Sequence, residues 1–162
     1  MLVVTLPSSF FLFYPNATLI AVTPLMYNNR VILCNGEDLM KLFIILGAIN
    51  AFLAVALGAF GAHGLEGKIT EKYLKTWNTG VTYQMFHALG LFAVAFLADK
   101  LPQVNMIVTA GWLMLVGIIL FSGSLFVLSV TGIKVLGAIT PLGGVAFLAS
   151  WILVGVVAVK YL

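Results

Sequence analysis

The residues of this chain that could do chemistry are two histidines and a few amides and hydroxyls. His87 follows Gln84 by three residues and Tyr83 by four. One turn of helix would therefore carry an imidazole, an amide and a phenol on a single face, which Gly80 and Leu91 extend in both directions. Such an imidazole could carry a proton, ligate a metal or hold a ligand. The simpler use of Gln84 and His87 is structural, a satisfied polar pair that orients helices. Asn50, His63, Ser122, Ser124 and Thr140 are the other polar candidates, and Pro141, Gly143 and Gly144 mark a break in regular backbone.

No catalytic constellation joins them. Ser122 and Ser124 lack the G-x-S-x-G elbow of a serine hydrolase. The histidines lack H-E-x-x-H spacing, and no carboxylate lies within the apolar stretches. Phosphate-cradling and C-x-x-C patterns are absent, and Cys34 is the lone cysteine. The chain is expected not to be an enzyme and to carry no cofactor or metal.

The elements that hold these residues are apolar. Residues 42–62, 79–98, 104–130 and 135–159 contain no Lys, Arg, Asp or Glu. Each reaches the roughly 20 residues needed to cross about 30 Å of hydrocarbon. Hydrophobic residues make up 62% of the chain and charged residues 8%, with a mean hydropathy of +1.16. A soluble domain is about a quarter charged. The fold class is all-α, a four-transmembrane-helix bundle forming one integral membrane domain over residues 40–162. A net charge of +3 is scattered over loops and ends, and no basic stripe follows a phosphate backbone, so nucleic acid is not a partner.

Between the first two spans, Leu65, Ile69, Tyr73 and Trp77 recur every four residues while Lys68, Lys72 and Lys75 point elsewhere. That pattern predicts a short amphipathic helix at the headgroups. Small residues at Gly47, Ala51, Ala54, Gly58 and Ala62 form one stripe, and Ala110, Gly117 and Ser124 another, at spacings that let helices approach closely. Pro141 predicts a kink or a partly opened helix.

Let side A be the face bearing residue 40 and side B the opposite face. Counting about 1.5 Å per residue, Gln84 and His87 lie roughly 8–12 Å below side B. Thr140, Ser122 and Ser124 approach the same level, Asn50 lies about one turn deeper, and His63 sits at the rim. The polar residues should thus gather in the half nearest side B. Four spans put both termini on side A. The basic residues divide almost evenly between the faces, so the positive-inside rule assigns no orientation.

Residues 1–39 read differently. No basic residue precedes Arg30, as a secretory signal would require, and Pro7, Pro15 and Pro24 interrupt every apolar run. Gly36-Glu37-Asp38 back-translates to a purine-rich stretch like a bacterial ribosome-binding site, just ahead of Met40. The expectation is that translation starts at Met40 and the leader is translated upstream DNA. N-terminal sequencing that recovered residues 1–39 from natively expressed protein would refute it.

The stretches GAFGAHGL at 58–65, TWNTGVTYQMFHALGL at 76–91, LFSGSLFVLS at 120–129 and LGAITPLGG at 136–144 resemble the domain-of-unknown-function 423 family. That family includes bacterial inner-membrane proteins and a eukaryotic relative, transmembrane protein 256. The resemblance runs in order through residues 40–162. It implies a multi-pass protein of the bacterial inner membrane and supplies no catalytic residues. The expected function is structural or accessory, with membrane lipids, further copies of the chain or a larger membrane complex as partners. A small oligomeric transporter or channel is the alternative, followed by a membrane enzyme or metal-binding protein using His63 and His87.

Overall fold

The computed structural model describes residues 26–27, 30–31, 36–101 and 104–162. The chain divides into two units, Met1–Leu33 and Cys34–Leu162. In the first, β1 (Met26–Tyr27) pairs antiparallel with β2 (Arg30–Val31), with Met26 opposite Val31 and Tyr27 opposite Arg30. Of the expected leader, residues 1–39, the last four open helix α1 and the rest, beyond these strands, lies outside the described residues.

The second unit is helical. Helix α1 (Gly36–Phe60) runs on into a π-helical turn, Gly61–Leu65. Its first turn carries Glu37, which Lys41 meets at 2.9 Å on an exposed surface. Helix α2 spans Glu71–Lys100 without interruption. The third span is α3 (Asn105–Gly117), a π-helical turn (Ile118–Ser122) and α4 (Gly123–Thr131). The fourth opens with a 3-10 segment, Lys134–Ala138, and continues as α5 (Thr140–Tyr161). Among the described residues, four helices are long and apolar enough to cross a membrane, Gly36–Leu65, Glu71–Lys100, Asn105–Thr131 and Lys134–Tyr161.

The amphipathic stretch lies within α2 rather than in a helix of its own. Residues 66–70 turn, and 71–77 form the first two turns of α2. Thr70 caps that start, its Oγ1 accepting from the Tyr73 amide at 3.4 Å. Nothing between Trp77 and Gly80 breaks the helix, and Trp77 is drawn into the bundle. Its Nε1 donates to the Leu57 carbonyl at 2.9 Å, and its ring packs against Phe60 and Phe126. The expected alternation of burial holds across the turn and the start of α2, with Leu65 and Trp77 buried and the three lysines exposed.

Half of the apolar stretch of α2 is buried, against 17% in the first span and 22% in the fourth, so α2 is the central helix. It packs chiefly along α1, while α5 packs chiefly along α3. The apolar core joins Phe43, Leu91, Val94, Ile107 and Met114, all toward the side-A ends of their helices. Lipid-facing positions such as Phe52, Phe86, Leu148 and Ile152 are exposed, which suits hydrocarbon and would be a liability in water. Gly132 closes α4 in the left-handed region at φ 70°, its amide donating to the Leu128 carbonyl at 2.9 Å. Only glycine adopts that conformation without strain.

The two small-residue stripes fare differently. Ala110, Gly117 and Ser124 all face the fourth span. The Ala110 carbonyl accepts from Ser150 Oγ at 2.7 Å, the Phe147 ring fills the space over Gly117, and Ser124 meets Thr140 at 2.8 Å. On α1, Gly47 and Ala54 are buried against α2, whereas Ala62 is exposed. Gly61, whose missing side chain makes room for Trp77, takes the place expected of Ala62. Gly61 lies seven residues after Ala54, the heptad step that holds one helical face, so the stripe continues on it.

Candidate functional site

The expected polar cluster is three local groups, and no hydrogen bond joins them among the described residues. The first lies between α1 and α2. Gln84 Nε2 donates to Asn50 Oδ1 at 3.4 Å, and Asn50 Nδ2 donates to the Leu46 carbonyl at 2.8 Å. Both side chains are buried, and Gln84 Oε1 has no partner among the described residues. The second group is Ser124 and Thr140. Ser124 Oγ donates to the Phe121 carbonyl at 2.9 Å and stands 2.8 Å from Thr140 Oγ1. Ser122 does not back-bond to its own helix. It is fully buried and its Oγ has no partner among the described residues; it ends the π-helical turn, where the regular i−4 carbonyl is displaced.

The third group is built around His87, which is 6% exposed. Its Nδ1 lies 2.7 Å from the Tyr83 carbonyl, one turn back on the same helix. The imidazole stacks on Phe147 of α5 with ring centroids 3.4 Å apart and planes 11° from parallel. Tyr83, 43% exposed, stacks on Phe121 at 4.5 Å, and Trp151 closes the other side of His87 at 6.2 Å. His87 therefore takes its hydrogen bond from its own helix and its packing from α5. Gln84, Asn50, Ser122 and Ser124, expected at a similar depth, form no hydrogen bond with it among the described residues.

These rings line a cleft of about 460 Å³ between α2 and α5, bounded also by Pro141, Gly144, Val145 and Leu148. Small-molecule sites occupy about 300–1,000 Å³. Irregular backbone frames the cleft. Phe121 belongs to the π-helical turn of the third span, and Gly143 packs its Cα directly on the Phe121 backbone, leaving no room for a Cβ. Pro141 falls in the first turn of α5, after the 3-10 segment. Its missing amide is one that a helix start leaves unpaired in any case. The expected break is thus a change of helix type at the start of α5. His63 is exposed on the first π-helical turn and shares no hydrogen bond or ring contact with His87. A second groove of about 590 Å³ between α1 and α2, passing Gly58 and Phe86, has Thr82 as its one polar side chain. That hydroxyl already donates to the Asn78 carbonyl.

Phe121, Phe147 and Trp151 were not among the sequence candidates. Gly144, Phe147, Leu148 and Trp151 follow steps of three, one and three, the same face-sharing pattern that singled out Gly80, Tyr83, Gln84 and His87. Apolar rings at that spacing read as lipid-facing or core residues, and only the stack on His87 distinguishes them.

The model of the family described as "Protein of unknown function (DUF423)" matches residues 57–144. The UPF0382 membrane protein YwdK of Bacillus subtilis (strain 168) is 73% identical over 123 residues, covering 76% of this chain and 100% of that relative. The chain belongs to the DUF423 family. Two further relatives of this DUF423 protein come from staphylococci. The UPF0382 membrane protein SERP0230 of Staphylococcus epidermidis is 49% identical over 122 residues, 75% of this chain and 98% of that relative. The UPF0382 membrane protein SAB0533 of Staphylococcus aureus is 52% identical over 122 residues, with the same coverage. No solved structure matches the DUF423 chain. The DUF423 match takes in His63, Tyr83, Gln84, His87, Ser122, Ser124 and the Pro141–Gly144 break, while Asn50, Phe147 and Trp151 lie outside it.

Proposed function

We propose that this membrane protein is an accessory component of the bacterial cell membrane that holds a lipid in the cleft between α2 and α5. The observation that carries this reading is the cleft itself, apolar and aromatic along its walls with one imidazole among them. A lipid's chain would lie against the rings, and its polar part would meet His87. The absence of Lys, Arg, Asp and Glu from the lining favours binding over ion coupling, which uses intramembrane charge.

Native mass spectrometry after gentle detergent extraction tests the reading. A Cβ at Gly144 would have ordinary van der Waals room, 3.8 Å from the Phe121 ring, so Gly144→Leu should fill the cleft without disturbing the backbone. The expected result is a lipid adduct on the natural protein that Gly144→Leu loses. Equal adducts on both proteins would overturn the assignment.

One observation favours a second reading, a small oligomeric transporter. The π-helical turn Ile118–Ser122 packs on the first turns of α5 where Gly143 meets Phe121, just after the 3-10 start of the fourth span. Broken helices at membrane depth form the sites of many transporters. Solute flux into liposomes containing the protein, abolished by Gly143→Ala, would support it. No flux above empty liposomes would count against it.

A further inference from the structure

We propose that the lipid held between α2 and α5 is uncharged and carries a hydroxyl on a flat ring head, with that hydroxyl donating to Nε2 of His87. This rests on the lipid-binding reading and names the class of lipid.

The tautomer of His87 decides the hydrogen-bond polarity. The Tyr83 carbonyl, 2.7 Å from Nδ1, can only accept, so Nδ1 carries a proton and donates to it. Among the described residues no carboxylate lines the cleft to balance an imidazolium, and a lone charge in hydrocarbon is costly. The neutral ring fits, and its second nitrogen is then an acceptor. That bond to Tyr83 is the sole hydrogen bond of the His87 side chain among the described residues, so Nε2 stays available. A ligand group that meets it must donate, which a hydroxyl does and an ester or quinone carbonyl does not.

The lining selects the rest of the head. With no cationic residue present, nothing balances a phosphate. His87 also lies ten residues inward of Trp77, about 15 Å of helix, below the level at which phosphate headgroups sit. An uncharged lipid can sink that far. Five of the nine lining residues carry aromatic rings, Tyr83, His87, Phe121, Phe147 and Trp151. Tyr83, whose ring rests on Phe121 at 29°, is 43% exposed at the cleft, and an exposed aromatic ring favours a flat partner over a flexible chain. Val145 and Leu148 at the edge are more than 60% exposed, so a tail can leave the cleft directly into the bilayer.

Binding of decyl-hydroquinone to the full chain in phosphatidylcholine nanodiscs, measured anaerobically by calorimetry, tests this. The comparison ligands are its dimethyl ether, which cannot donate, the parent quinone, which only accepts, and dioctanoylglycerol, which has a hydroxyl and no ring. The hydroquinone should bind saturably, and each comparison ligand about tenfold more weakly, the worth of one good buried hydrogen bond or one stacked ring. His87→Leu should bind hydroquinone, ether and quinone alike, at the ether's level. Ether or quinone binding as tightly as the hydroquinone overturns the proposal, as does an unchanged affinity in a folded His87→Leu variant. If that variant does not fold, the ligand comparison on the natural chain decides alone. Dioctanoylglycerol binding as tightly as the hydroquinone overturns the ring and makes the ligand an acylglycerol. In either failure, a lipid adduct that Gly144→Leu still removes leaves the broader reading intact.

Discussion

The imidazole of His87 lies face to face with the ring of Phe147, their centroids 3.4 Å apart, and this stack joins the central helix to the fourth span. The polar atom that binds His87 locally is on its own helix. Its contribution between helices is therefore shape and dispersion rather than a hydrogen bond. Within a membrane that is the main currency of helix association, because lipid competes equally for apolar contact.

Substitutions at this pair should rank by volume. His87→Ala leaves a hole beside Phe147 and should cost about 2 kcal/mol or more, in the range of large-to-small core changes. His87→Leu refills the space, and the Tyr83 carbonyl it releases still belongs to a helical ladder. Its cost should stay below about 1.5 kcal/mol. Phe147→Ala opens space over both His87 and Gly117 and should be the worst of the three. Melting in detergent would measure the order. His87→Leu as damaging as His87→Ala would show that the hydrogen bond, not the stack, matters.

Neighbouring glycines in α5 give a sharper test of backbone packing. A Cβ on Gly143 would collide with the backbone of Phe121, which cannot swing away, whereas one on Gly144 meets the Phe121 ring at 3.8 Å. Gly143→Ala should therefore destabilise by about 1–3 kcal/mol through overpacking. Gly144→Ala should be neutral or slightly stabilising, since alanine is the better helix former. Equal melting temperatures for the two variants would mean that the fourth span does not seat on the π-helical turn.

Much of this was legible in the sequence because hydrocarbon imposes strict rules. The four spans follow from apolar length and missing charge, and the Ala110–Gly117–Ser124 stripe marks the interface that Ser150, Phe147 and Thr140 occupy. Counting residues along helices brings Ser124 and Thr140 to one level, and the two do meet. What counting could not supply was rotation. A π-helical turn adds one residue to a turn and carries no composition of its own, so Ser122 at its end finds no carbonyl partner among the described residues. Nor could spacing tell which polar groups pair. Gln84 and His87 are three residues apart, yet Gln84 faces α1 and His87 faces α5.

The long Asn50–Gln84 contact should carry little energy. At 3.4 Å it is near the limit for a hydrogen bond, and Gln84 Oε1 is left bare. Intramembrane polar pairs average about 0.6 kcal/mol in double-mutant cycles. The cycle of Asn50→Leu and Gln84→Leu should return a coupling below about 1 kcal/mol. Each single variant leaves one amide unpaired, so the double variant should melt no lower than either single one. A coupling of several kcal/mol would mean that a water or ligand completes the pair in the membrane.

Topology is the last expectation, and the central position of α2 makes it strict. Four helices that each cross the bilayer place Leu162 on the same side as the start of α1, and the loop before α2 on the other. Topology reporters fused after Leu162 and inserted within residues 66–70 should give opposite signals. The turn at 66–70 is the right insertion point because Gly67 has φ 72° and lies in open space, and Glu66, Gly67 and Lys68 are exposed. An insertion at 71–77 would instead disrupt the capped start of α2 and pull Trp77 from the Leu57 carbonyl. Loss of folding from an insertion at 73–74, with tolerance at 67–68, would show that the amphipathic stretch belongs to the transmembrane helix. Tolerance at both places would return it to the membrane surface as a separate segment.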